Sequence, residues 1–196
     1  MSDLHITSMS HTQDLLKIQL SDGRTVYTRE CYLNKPLQAL CPVSSDVADI
    51  LSLGVRRYLA ECKACNLINY SENSRFLLEL KLRKKGFSAN EYTLPLDYLQ
   101  KKMIVDDFRF AKLWVKTRLK KKHEGKLVLK AKLMEKGICS ELAEESIKDA
   151  FLDESEITIC KKAISKLQEK KLDSQQVIAK LHRLGFSSTV IKNALQ

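Results

Sequence analysis

A mainly α-helical chain of tandem repeats, carrying a small β extension at its N-terminus, is the fold class this sequence predicts. Three observations predict it. From Ser44 onward the apolar residues recur at three- and four-residue steps, the period of a helix face. Gly86, Gly137 and Gly185 stand in the same local pattern, 51 and 48 residues apart. Before Ser44, by contrast, Leu16, Ile18 and Leu20 alternate with polar residues and run into Asp22-Gly23.

Taken in order, the first dozen residues are polar and unpatterned and read as a loose tail. The alternating stretch, Asp22-Gly23 and the β-branched and aromatic run Thr25-Val26-Tyr27-Thr28 make a hairpin signal. A two-residue turn there sets Ile18 opposite Tyr27. An isolated hairpin is marginal in water, so it needs a docking surface or a third strand, for which Glu30–Leu33 is the candidate. Lys35-Pro36 and Cys41-Pro42 mark a linker that closes an extension over 1–43. Ser45 or Asp46 can then cap a helix through Val47, Ile50, Leu51, Val55, Tyr58, Leu59 and Cys62, with Gly54 as the point where it can divide. Polar Asn69–Asn73 ends it.

The repeat appears when the three glycines are aligned. Twelve residues before them stand Ser74, Gly125 and Asp173, all suitable helix N-caps. Eight before stand Leu78, Leu129 and Val177, and four before stand Leu82, Leu133 and Leu181. Phe87, Ile138 and Phe186 follow directly, then Ser88, Cys139 and Ser187. Tyr92/Leu96, Ala143/Ile147 and Ile191/Leu195 complete the face of a further helix. Each glycine therefore reads as the left-handed residue of a Schellman stop. A helix precedes each later pair, over Asp107–Lys121 and Glu154–Lys170. The unit is three helices in about fifty residues, giving repeats over 44–103, 104–152 and 153–196. One such unit buries too little to stand alone, so stacked neighbours must supply the core, and an elongated, curved molecule is expected. Pro95 falls inside the third helix of the first repeat and is expected to delay its start or kink it.

Composition narrows the function. The formal charge is +10, from 34 Lys+Arg against 24 Asp+Glu, which favours polyanionic partners. Residues 1–45 balance at four against four, whereas 105–152 carry twelve basic and eight acidic residues. No run of eighteen apolar residues and no apolar N-terminal signal occur, and six cysteines without export read as reduced thiols, so a cytoplasmic protein is expected. The four histidines are scattered, and neither a nucleophile elbow nor a phosphate loop is present, so no enzyme and no cofactor are expected. Cys62 and Cys65 make half a zinc site, but Cys31, Cys41, Cys139 and Cys160 offer no second pair. Metal binding is not expected, and Cys160 joins Ile157 and Ile164 as core.

The repeats resemble the RecX family of regulatory proteins. The resemblance rests on SRFLLELKLRKKGF (74–87), VDDFRFAKLWVKTRL (105–119), GKLVLKAKLMEKGI (125–138) and HRLGF (182–186), and spans about 150 residues in the family's order. The middle signature is the most specific, with Asp107, Phe110, Ala111, Trp114, Val115 and Arg118 in the family's positions. The hairpin and proline-containing linker look like the N-terminal extension of longer members. Pro95 departs from the pattern, and Cys62 and Cys65 lie outside it. The resemblance implies a non-catalytic modulator of the RecA recombinase. Such a protein binds the RecA filament on single-stranded DNA, lies in its helical groove, and restrains ATP hydrolysis, strand exchange and filament growth in recombination, DNA repair and the SOS response. A monomer with no membrane partner is expected.

The residues themselves mark one candidate interface. Lys116, Arg118, Lys120, Lys121, Lys122, Lys126, Lys130 and Lys132 put eight basic residues in seventeen, opposed only by Glu124. On two helices joined by a short turn they can form one positive ridge for DNA phosphates or an acidic groove, or simply a solvated face. Arg118 stands out, because its planar fork can hold a carboxylate or phosphate bidentately. Arg83, Lys84 and Lys85 form a second cluster, which can equally answer a helix C-terminal dipole. Phe110 and Trp114 read as core rather than as base-stacking platforms, and Asp106-Asp107 as caps rather than as catalytic carboxylates. Two other functions compete: a helical-repeat protein binding DNA directly, as a transcription regulator does, and a scaffold for another acidic partner. No segment shows a recognition helix in a tight helix-turn-helix pair, which disfavours the former.

Overall fold

The computed structural model describes residues 4–169 and 172–196, in which three strands precede nine helices among the described residues. The strands are β1 (Ile6–Thr12), β2 (Leu15–Leu20) and β3 (Thr25–Thr28). The helices are α1 (Ser45–Tyr70), α2 (Arg75–Lys84), α3 (Ala89–Lys101), α4 (Asp107–Lys122), α5 (Lys126–Met134), α6 (Ser140–Ala150), α7 (Glu156–Gln168), α8 (Ser174–Arg183) and α9 (Ser188–Leu195). They form two compact units. One holds the chain up to Glu72 together with Leu78–Val105; the other holds Asn73–Leu77 together with Asp106–Gln196.

Of the dozen residues expected to form a loose tail, Ile6–Thr12 form a strand, and residues 1–3 lie outside the described residues. β1 pairs antiparallel with β2, from Ile6 opposite Leu20 to Thr12 opposite Leu15, and β2 pairs with β3. Only Ile6 of β1 is buried, because β1 is an edge strand, so the alternation that betrays a strand is missing there. The third strand thus precedes the hairpin, and Glu30–Tyr32 forms a 3₁₀ turn instead of a strand. The register also differs from expectation, with Ile18 opposite Val26. Leu20 and Arg24 close a three-residue loop, with Gly23 at φ 85° and Asp22 Oδ1 accepting from the Arg24 N–H at 3.0 Å. One extra loop residue shifts the pairing by one and turns Tyr27 outward, 42% exposed.

In this first unit, α1 runs 26 residues without a break. Its cap is Ser44, one residue before the expected pair. Gly54 does not divide the helix; it lets the sheet come close. A Cβ on Gly54 would lie 2.6 Å from Leu33 Cδ2, and the Thr28 hydroxyl donates to the Gly54 carbonyl at 2.7 Å. Ile6, Leu16, Ile18, Leu20 and Leu51 form one apolar cluster. Ala60 and Ala64 of α1 form another with Leu78, Leu82, Tyr92, Leu96 and Leu99. α3 begins at Ala89, capped by a Ser88/Glu91 box, so Pro95 does not delay it.

Between the sheet and α1 lies a polar network rather than more hydrocarbon. Arg29 grips Glu61 with Nε at 2.6 Å and a terminal nitrogen at 2.5 Å, and the Tyr32 hydroxyl donates to the same carboxylate at 2.7 Å. Arg57, 3% exposed, donates to the Tyr32 carbonyl at 2.6 Å, to Asn34 Oδ1 at 2.7 Å and to Asn90 Oδ1 at 2.8 Å. The Glu61 contact raises the Arg29 pKa further, while burial pushes the Tyr32 phenol well up and pulls Arg57 down.

The second unit has one continuous apolar core, from Phe110, Ala111 and Val115 in α4 to Ile191 and Ala194 in α9. Two three-helix groups, α4–α6 and α7–α9, therefore share a core, as a repeat too small to stand alone requires. Cys160 belongs to that core, and burial pushes its thiol up to about 11. Of the helix expected over Glu154–Lys170, α7 supplies Glu156–Gln168, capped by Ser155; Lys170 lies outside the described residues.

All three glycines end their helices as read from the sequence, at φ 84°, 80° and 90°. Phe87, Ile138 and Phe186 each donate back to the carbonyls of Leu82, Leu133 and Leu181, the six-to-one bond of a Schellman stop.

Candidate nucleic-acid and partner interface

The basic residues of the second unit separate into two kinds. Arg118 forks onto Glu124, with Nε donating at 2.8 Å and a terminal nitrogen to the other carboxylate oxygen. Lys132 donates to the same carboxylate at 2.6 Å. Glu124 is only 4% exposed at its side chain. Burial would raise its pKa, but the hydrogen bonds from Arg118 and Lys132 outweigh that and hold it below the ordinary carboxylate value. Lys130 pairs with Glu144, and Lys126 lies 3.7 Å from Glu156. These four basic groups brace α4, α5, α6 and α7. Arg118 already fills its bidentate fork inside the protein.

Lys120, Lys121 and Lys122 are the other kind. They occupy the last turn of α4, are exposed, and form no ion pair among the described residues. Lys116, one turn earlier, is also exposed; the hydrogen bond from Lys112 chiefly lowers the Asp149 pKa, and Lys116 adds a smaller through-space contribution. α4 stops at His123, whose φ of 50° is left-handed, and the Asn-like geometry there turns the chain into α5 within three residues. Lys121, Lys122 and His123 line a cavity of about 200 Å³ with Lys166 from α7, and with Ala163, Leu167 and Leu184. Lys166 carries no sequence signal linking it to the ridge, since it lies more than forty residues further on. In the first unit, Arg83, Lys84 and Lys85 are exposed at the end of α2, where they complement the negative end of the helix.

The signature residues in α4 are structural. Phe110, Ala111 and Val115 are buried, and Trp114 packs against the same core with the Arg118 and Lys136 cations each 5.5 Å from its ring. Asp106 caps α4, accepting from the Phe108 and Arg109 N–H groups at 2.9 and 3.0 Å. Asp107 does something the sequence alone did not disclose. Its Oδ1 accepts from the Arg75 N–H at 2.7 Å, capping the first turn of α2. Glu156 repeats the device one repeat later, accepting from the Lys126 N–H at 3.1 Å.

That pairing belongs to a joint used twice within the second unit. Ser74 Oγ donates to the Lys136 carbonyl at 2.7 Å, and the Gly125 N–H donates to the Leu184 carbonyl at 2.8 Å. Lys136 and Leu184 immediately precede Gly137 and Gly185, so each joint sets a helix start on the next Schellman turn. The fit is tight. A Cβ on Gly137 would lie 2.2 Å from Phe76 Cβ, and one on Gly185 would lie 2.5 Å from the Val128 nitrogen. The signal was present in the alignment of Ser74 with Gly125 and of Gly137 with Gly185. It identified caps and stops without showing that they touch.

Residues 106–147 match the family model for RecX, second three-helix domain. A protein named regulatory protein RecX in Treponema pallidum is 29% identical over 140 residues, covering 71% of this chain and 85% of the relative. The protein of that name in Streptococcus sanguinis is 26% identical over 203 aligned positions, covering 98% of this chain and 76% of its own. A crystal structure of regulatory protein RecX shares the fold with a TM-score of 0.76 at 18% identity, over 97% of this chain and 99% of that one. RecX from Lactobacillus salivarius superposes with a TM-score of 0.63 at 21% identity, over 72% of this chain and 95% of that one. The α4 signature, the repeated glycine stop and these relatives agree in supporting a RecX family protein.

Proposed function

We propose that this protein is a non-catalytic regulator that binds RecA filaments on single-stranded DNA. It restrains RecA ATP hydrolysis, strand exchange and filament growth, acting as a monomer in the cytoplasm. The observation that carries the reading is the α4–α6 segment, whose residues 106–147 match the RecX second three-helix domain and whose relatives bear the name regulatory protein RecX. Mechanistically, a protein spanning neighbouring filament subunits stabilises one relative arrangement of them. Any transition that changes subunit spacing then loses those contacts. The exposed lysines at the end of α4 add a salt-sensitive attraction to a polyanion.

The experiment is RecA ATP hydrolysis stimulated by single-stranded DNA, with and without this protein, at two salt concentrations. Inhibition is expected, weaker at the higher salt and weaker for Lys120/Lys121/Lys122→Ala. Unchanged inhibition by that variant removes the lysine ridge from the mechanism. Absence of inhibition by the unaltered protein at either salt overturns the reading.

A further inference from the structure

We propose that Lys121, Lys122 and Lys166 form a seat for a backbone phosphate of nucleic acid, by which this protein holds a strand directly, without RecA. The inference deepens the reading above by giving the ridge a definite ligand. The three lysines come from two helices more than forty residues apart in sequence and line one cavity of about 200 Å³ with His123. Lys166 lies in the last turn of α7, as Lys121 and Lys122 lie in the last turn of α4.

Lysines at helix ends commonly do no more than offset the dipole, so the charges must be counted. A helix C-terminus carries about half a negative charge, so two of them cancel about one ammonium. Three ammonium groups leave a surplus of about two positive charges. None of the three makes an ion pair among the described residues. Glu124, which follows His123 in sequence, is buried and already held by Arg118 and Lys132. Like charges do not converge on a concave surface without cost, and a bound anion removes that cost.

The choice of phosphate over carboxylate follows from the donors. A planar carboxylate is best held by an arginine fork, and Arg118, the nearby candidate, has its fork on Glu124. Lysines are point charges that suit the several oxygens of a phosphate from different directions. A polymer is favoured over a free ion because the charge continues beyond the seat. Lys120 and Lys116 extend it back along exposed α4, about 6 Å apart along the helix axis. The neighbours of a seated phosphate therefore also meet positive charge.

The test uses the full chain, a fluorescent oligothymidylate and no RecA, with binding read by anisotropy over a salt series. Lys121/Lys122/Lys166→Gln is expected to weaken binding by about tenfold or more and to flatten the salt dependence of log K by about 0.7, the release expected for one single-strand phosphate contact. Lys17/Lys35/Lys192→Gln removes the same charge elsewhere and is expected to stay within about twofold of the unaltered protein. Three outcomes overturn the seat: no binding by the unaltered protein, equal loss in both variants, or no loss in the first. Displacement by inorganic phosphate at concentrations that barely change ionic strength assigns an isolated anion site and overturns the strand. Displacement by polyglutamate as readily as by unlabelled oligonucleotide assigns an acidic protein surface and overturns it too. RecA inhibition is measured separately. A protein that inhibits RecA but ignores the oligonucleotide sinks the seat alone, whereas one that binds the strand and leaves RecA untouched sinks the filament reading alone.

Discussion

Gly86 in the first unit and Gly185 in the second end their helices with the same backbone, φ 84° and 90°. Their surroundings differ completely. A Cβ on Gly86 would meet nothing within 4 Å, while one on Gly185 would lie 2.5 Å from the Val128 nitrogen and 2.7 Å from its Cβ. The first glycine answers only a local requirement, a left-handed stop. The second answers that requirement and also a close approach between successive repeats. The two units follow the same division. The second is closed by hydrocarbon and a backbone joint, whereas the first attaches its sheet to α1 through the buried Arg29–Glu61–Tyr32 cluster.

The largest expected effect breaks the joint. Gly185→Ala combines a left-handed penalty of about 1–2 kcal/mol with backbone overlap, for a total of about 4 kcal/mol. Gly86→Ala should cost only the first part, about 1–2 kcal/mol. Urea unfolding of both variants checks this, and equal losses would show that the joint at Gly185 is not tight.

The next effect probes the first unit. Glu61→Ala leaves Arg29 and the Tyr32 hydroxyl without their shared acceptor, with side-chain exposures of 15% for Arg29 and 7% for Glu61 itself. Stranding a buried cation costs about 3 kcal/mol or more. Hydrogen exchange should show β2, β3 and the α1 turns around Gly54 losing protection while α4–α9 keep theirs. Loss of protection throughout would refute the independence of the two attachments. In the second unit, Glu124→Gln removes the negative charge and one of the two acceptor oxygens shared by Arg118 and Lys132, and a loss of about 2 kcal/mol is expected by thermal unfolding, since both cations can still reach water.

These contrasts also mark what the sequence could disclose. The helix stops were legible because Gly86, Gly137 and Gly185 repeat with their caps and their apolar followers, and each feature is local. The Phe110–Val115 stripe was legible for the same reason. β1 was not, because an edge strand with only Ile6 buried shows no period of two. Nor was the role of Asp107 or Glu124, since a carboxylate before or after a helix looks alike whether it caps its own chain or reaches a neighbour. The ridge was overcounted in the same way. Arg118, Lys126, Lys130 and Lys132 share a sequence run with Lys120–Lys122, but each has an acidic partner that only the fold brings near. Lys166 was missed because the cavity joins helices far apart in the chain.

The smallest effect separates the units by pH. Arg56 donates to Glu91 at 2.7 Å, and that bond chiefly holds the Glu91 carboxyl down at about 2, from 4.5. A depressed carboxyl stabilises the fold above its unfolded pKa, and the contribution fades as pH falls from about 4.5 toward 2. Arg56 is 41% exposed, so solvent screening limits the gain to well under what the shift alone implies, about 1 kcal/mol or less. Glu91→Gln should therefore lower stability slightly at neutral pH and flatten the acid limb for the first unit alone. Glu124, also depressed but buried among α4 and α5, should dominate the acid limb of the second unit. Amide exchange of α3 and of α5, followed from pH 7 downward in both variants, reads the two limbs separately. If Glu91→Gln changed α5 protection as much as α3 protection, the carboxyl would be acting on the whole chain rather than on the α3 cap it occupies.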